Sequence, residues 1–196
     1  AELVVWDSGV ISEATQIDIA YGGGPLVSAT RYDWVLTVEV QTQTGVSAYE
    51  RWAVFETGLL AEPDWGGAAW IAAPPADAPP GARATAAPVL STCFDIREPV
   101  ISARLYLAAG GLAVARVNGE RVGDAELSPT FTDYDRRALY IVIDVGSALR
   151  WGNNALSIHL GRGFYGMTNP SPPPAWGWES APWHAEPCVR ALVRLE

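Results

Sequence analysis

The chain has 196 residues, enough for one large domain or two small ones, each able to bury a core without a metal or a disulfide. Its 9 Trp, 7 Tyr, 19 Gly and 15 Pro against 1 Met favour strands joined by turns, so the composition reads as all-β. A net charge of −9 repels phosphate backbones and anionic lipid surfaces, which excludes nucleic acid as a partner, and no apolar run approaches the roughly 20 residues that cross a bilayer.

Trp6-Asp7-Ser8-Gly9 and Tyr21-Gly22-Gly23-Gly24-Pro25 mark the first turns. From Arg31 to Val40, Tyr32, Trp34, Leu36, Val38 and Val40 share one parity while Asp33, Thr37 and Glu39 take the other, the alternation of a half-buried strand. Residues 41–47 are largely polar with a Gly, and residues 48–57 resume with Trp52, Val54 and Phe55, which predicts a hairpin. Residues 1–60 therefore read as part of a small β-sandwich.

Residues 72–88 are mostly Ala and Pro and favour extended or polyproline-like backbone. Residues 61–88 are read as a linker or surface strap, with Asp64-Trp65 and Trp70-Ile71 as anchors pinning it to a sheet; an exposed, sugar-stacking Trp is the alternative.

Strand-like runs then fall at 89–96, 103–108, 112–117, 138–145, 155–160 and 189–195, with turns at Gly110-Gly111, Asn118-Gly119 and Gly152-Asn153-Asn154. This spacing predicts a jelly-roll-like β-sandwich over 89–196, with a single helical turn near 146–150. Cys93 and Cys188 sit in the first and last of these strands: a disulfide if the strands are neighbours, two buried thiols otherwise. Tyr134, which leads into the run at 138–145, is expected to be mostly buried with its hydroxyl partnered.

Nothing assembles into a catalytic motif. Glycoside hydrolysis needs two carboxyl groups at a set separation, and Asp133, Asp135 and Asp144 read instead as solvated loop acids. His159 alternates within a strand and His184 lies in a Pro/Trp-rich loop, with no nucleophile elbow to complete a triad. No catalytic residue is assigned, and the chain alone is not predicted to be an enzyme. The long loop Met167–Trp183 carries Trp176, Trp178 and Trp183, rings on which the C–H faces of a sugar stack, with Asn169 as a polar partner. The competing reading is that this loop packs against a neighbouring domain.

Several runs carry a family resemblance when taken in order. Ala103–Gly111, Val117-Asn-Gly-Glu-Arg-Val-Gly-Asp124, Leu127–Arg137 with its Thr-Asp-Tyr-Asp, Leu139–Val145 and Gly152–Gly166 together resemble the N-terminal β-sandwich of bacterial α-L-rhamnosidases. Upstream, Trp6–Gly9, Leu26–Trp34, Phe55–Leu60, Asp64-Trp65 and Trp70-Ile71 resemble the immunoglobulin-like module that precedes it. The resemblance implies a partial immunoglobulin/fibronectin III-like module over 1–60, the linker, and the sandwich over 89–196. It also implies a non-catalytic accessory role toward a catalytic α/α barrel that hydrolyses terminal α-L-rhamnosides. Some sandwich domains of these enzymes bind L-rhamnose with calcium, so the resemblance implies a carbohydrate-binding module as the alternative; Asn169 and Glu179 are the oxygen donors residue type suggests for that ion. Relative to the family, the first module starts short of its leading strands, which predicts an open sheet edge and self-association through it. The location implied is bacterial, extracellular or cytoplasmic, leaning to secretion.

Overall fold

The computed structural model describes residues 3–11, 19–74, 87–166 and 186–196. Its regular elements are antiparallel strands and two single turns of 3-10 helix, Glu62–Trp65 and Gly146–Ala148. The chain divides into two compact units, Ala1–Trp65 and Gly66–Glu196.

In the first unit, β1 (Arg31–Thr42) and β2 (Gly45–Glu56) form a hairpin with Thr42 opposite Gly45. The turn is tighter than the predicted 41–47: Gln43 and Thr44 alone lie outside the ladder, and Thr42 Oγ1 donates to Gly45 O at 2.6 Å. The ladder runs on through polar Gln41 and Ser47 because pairing satisfies every main-chain group whatever the side chain. Register puts Tyr32, Trp34, Leu36, Val38 and Val40 on one face, opposite Phe55, Ala53, Arg51, Tyr49 and Ser47. The Tyr32 and Phe55 rings, directly cross-strand, stack with centroids 5.2 Å apart.

The predicted alternation is therefore present, but the predicted half-burial is not. Trp34, Leu36, Val38 and Val40 are all exposed. Among the described residues this sheet has two strands and no second layer, so one face is sorted as apolar without being covered.

The base of the hairpin is tied by Ala29 N to Gly58 O and Thr57 N to Thr30 O, both 3.0 Å. The Asp64 carboxylate accepts from Ala61 N at 2.7 Å, from Leu60 N at 3.1 Å and from the Ser28 hydroxyl, and Trp65 beside it is buried.

The second unit holds β3 (Ile71–Ala72), β4 (Val89–Ile96), β5 (Ala103–Gly110), β6 (Leu112–Val117), β7 (Glu120–Arg121), β8 (Tyr140–Asp144), β9 (Gly152–Gly161) and β10 (Cys188–Leu195). They form two four-stranded sheets, ordered β3-β10-β5-β8 and β4-β9-β6-β7. The core lies between them. Leu105, Leu107 and Ala109 of β5, Ala113, Ala115 and Val117 of β6, and Leu156, Ile158 and Leu160 of β9 recur every second residue and meet Ile143 and Val189. Each fully buried Leu, Ile or Val of this set contributes roughly 1.5–3 kcal/mol.

The anchor expected at Trp70-Ile71 takes the form of a short strand: Ile71 of β3 pairs with Val189 and adds to the first of these sheets. Cys93 lies on β4 and Cys188 on β10, in different sheets; both thiols are free, and Cys93 is exposed where a buried thiol was expected.

The Asn118-Gly119 turn has φ of 52° and 88°, the two positive values of a type I′ hairpin. Its asparagine also turns inward. Asn118 Nδ2 donates to Asn154 Oδ1 and to Ala148 O, each at 2.9 Å, while its own Oδ1 accepts from Ala155 N at 3.0 Å. Asn154, fully buried, donates from Nδ2 to Arg150 O at 2.7 Å and Gly152 O at 2.9 Å, and its Oδ1 also accepts from Arg150 N. The β6–β7 turn and the bend before β9 are thus closed by one satisfied polar network.

Candidate functional site

The residues chosen from sequence as sugar or calcium contacts, Trp176, Trp178, Trp183, Asn169 and Glu179, lie outside the described residues, as does His184. Among the described residues no group of three His, Cys, Asp or Glu side chains is gathered for a metal. The loop acids have basic neighbours: Asp144 Oδ2 meets Arg104 Nη1 at 2.9 Å, and Asp133 Oδ2 meets Arg136 Nε at 3.4 Å. His159 is exposed on β9.

What the structure does bring together is a cleft of about 380 Å³ in the second unit, walled by Trp70, Tyr134, Asp135, Arg136, Tyr165 and Cys188. Its parts arrive from four places in the sequence. Trp70 immediately precedes β3, Cys188 opens β10, and Tyr165 lies in the Gly163–Gly166 turn after β9. Tyr134 stands at the head of a tight turn in which Arg136 N and Arg137 N both donate to Asp133 O at 3.0 Å. The Tyr134 and Tyr165 rings meet edge to face, 5.1 Å between centroids, and Phe131 and Phe164 pair at 4.8 Å.

Tyr134 differs from expectation. Its ring is half-buried, because the turn that carries it lines an open cleft instead of lying under a sheet. Its hydroxyl is partnered as expected, by the main chain of Gly111. Burial pushes the Tyr134 phenol above its ordinary range, and the Gly111 contact acts the other way. For Tyr165, burial again leads, reinforced by a hydrogen bond to Cys188, and its phenol is pushed up to about 12. Both hydroxyls therefore keep their protons at neutral pH and act as neutral hydrogen-bonding groups.

Gly110 makes this assembly possible. A Cβ built there would stand 2.8 Å from Cys188 Sγ and 2.8 Å from the Tyr165 ring, closer than side chains tolerate. Neither Tyr165 nor Cys188 signals a cleft in the sequence: the β5–β10 pairing sets Cys188 opposite Gly110, and Tyr165 reaches the same glycine from the turn after β9. Aromatic walls with a carboxylate and guanidinium donors at the mouth suit a small polyol that offers both C–H faces and hydroxyls.

A larger, mainly apolar cleft of about 650 Å³ opens between β8 and the Arg121–Ala125 segment, lined by Ala113, Ala115, Val122, Ile141 and Ile143.

Two family models match in tandem: "Rha78A-like, N-terminal immunoglobulin domain" over residues 1–61 and "Alpha-L-rhamnosidase N-terminal domain" over residues 98–196. An α-L-rhamnosidase of Formosa agariphila is 29% identical over 98% of this chain and 22% of its own length. One from Streptomyces avermitilis is 40% identical over 53% of this chain and 11% of its own. The solved structure of an α-L-rhamnosidase from Dictyoglumus thermophilum superposes with a TM-score of 0.75 at 30% identity, covering 98% of this chain and 21% of that one. That of Aspergillus terreus gives 0.69 at 29%, covering 88% and 19%. The chain thus spans about a fifth of the length of the relatives that match nearly all of it.

Proposed function

Because the chain belongs to the family of α-L-rhamnosidase N-terminal domains, we propose that it is a non-catalytic accessory region of a glycoside hydrolase that releases terminal α-L-rhamnose. In this reading it orients or walls a catalytic barrel on the same polypeptide. The observation that carries it is the tandem of two N-terminal-domain matches, which together take up most of the chain. Inverting hydrolysis needs a general acid and a general base flanking one sugar, and the proposal assigns neither to this chain. The purified chain mixed with an aryl α-L-rhamnoside is expected to release no phenol above the buffer rate. Release that rises in proportion to the concentration of the chain would overturn the reading.

A second reading, carbohydrate binding, is favoured by one observation: the cleft at Tyr134 and Tyr165 pairs aromatic walls with Asp135 and Arg136. L-Rhamnose offers an apolar face and methyl group to the rings and a diol to the charged rim. Trp176, Trp178 and Trp183 remain candidate stacking rings by residue type, and Asn169 and Glu179 candidate oxygen donors if calcium assists. Calorimetric titration of the chain with L-rhamnose, in calcium and in chelator, decides it: saturable heat that Trp70→Ala removes supports the cleft, and the absence of heat rejects it.

A further inference from the structure

β8 ends its sheet: it pairs with β5 from Arg104↔Asp144 to Ala108↔Tyr140, and no strand lies on its other side among the described residues. Edge strands are usually kept from pairing by charge, proline, a bulge or shortness. The last strand of the facing sheet follows that rule, since β7 is the two charged residues Glu120 and Arg121. β8 does not. It reads Tyr-Ile-Val-Ile-Asp, three β-branched residues in succession with one acid at its end. Ile143 is buried and Ile141 partly buried against the core, while Val142 points outward and is 43% exposed. The 650 Å³ apolar cleft opens along the same flank.

We propose that β8 is a self-association edge, pairing antiparallel with β8 of a second copy of this chain about a two-fold axis through Val142. That register sets Val142 against Val142, Ile141 against Ile143 and Tyr140 against Asp144 of the second copy. The strand is complementary to itself in charge. Its one carboxylate faces a tyrosine instead of another carboxylate, and it is already held by Arg104 at 2.9 Å. No like-charge pair arises anywhere along the five residues. Pairing joins the two sheets into one of eight strands and apposes the two apolar clefts, so both lose water together. A contact one short strand long falls in the weak, reversible class. The −9 charge of each copy opposes it, so added salt strengthens the association by screening that repulsion.

Sedimentation equilibrium over a concentration series, at low and at high salt, tests this. The average mass is expected to rise from 21.0 kDa toward twice that value, and to do so at lower protein concentration in high salt. Val142→Lys and Val142→Asp, which alter an outward side chain, should keep the melting temperature of the native chain and remain monomeric. Their equimolar mixture should dimerise again, because lysine then faces aspartate across the axis. A native chain that stays monomeric throughout overturns the proposal. So does association that either substitution leaves intact, which would place the contact on another edge, or a mixture that fails to recover it, which would remove the Val142 axis.

Discussion

Asn154 illustrates what a single residue type hides. Asparagine beside glycine is turn chemistry, and the Gly152-Asn153-Asn154 run reads that way in the sequence. In the structure, Asn153 takes the exposed position and Asn154 is fully buried, its amide occupied on both atoms by Asn118, Arg150 and Gly152. The burial was not legible because its cause is Asn118, brought across by the pairing of β6 with β9. Replacing Asn154 by Ala removes the amide and leaves buried main-chain groups without partners, so urea denaturation should show a loss of about 2–4 kcal/mol. A change within half a kcal/mol would mean water substitutes for the side chain. The Tyr165 phenol makes stability depend on pH. Its folded pKa, about 12, lies above the ordinary tyrosine value, so its contribution to stability is complete below pH ~10 and is lost as pH rises toward 12. The Tyr165→Phe variant, which has no proton to lose, should show a flatter decline of unfolding midpoint across that window.

At the scale of elements, strand positions were legible and their covering was not. The alternation at Tyr32, Trp34, Leu36, Val38 and Val40 locates β1 and sorts its faces, because side-chain parity is a property of the backbone alone. Whether a face is buried depends on a second layer, which no local pattern encodes, and the β1–β2 ribbon has none among the described residues. The anchor at Ile71 takes the form of a strand for the same reason: Ile71-Ala72 is too short to show a period, and it is a strand only because β10 lies beside it. Since among the described residues one ladder holds each strand of the hairpin, native-state hydrogen exchange should divide the molecule. Amides of β1 and β2 are expected to exchange through local openings, far faster than those of β5, β6 and β9 in the sandwich. Equal protection in both sets would show that the ribbon is covered in solution.

For the whole molecule, the all-β class followed from composition and turn spacing, and the family from the order of motifs that each mean little alone. The cleft did not follow, because Trp70, Tyr134, Tyr165 and Cys188 are distant in sequence and meet only when sheet order is known. That order also governs how the molecule is made. β10 occupies the interior of its sheet, between β3 and β5, yet it follows β3, β5 and β8 in the sequence. As the ribosome delivers the chain, β5 stands with one ladder unfilled while every intervening strand emerges, and the layer cannot be completed until Leu195 clears the exit tunnel. The sandwich therefore closes late and all at once. A pause or truncation anywhere before β10 leaves the apolar strand Ala103–Gly110 open to whatever strand, from this chain or another, reaches it first.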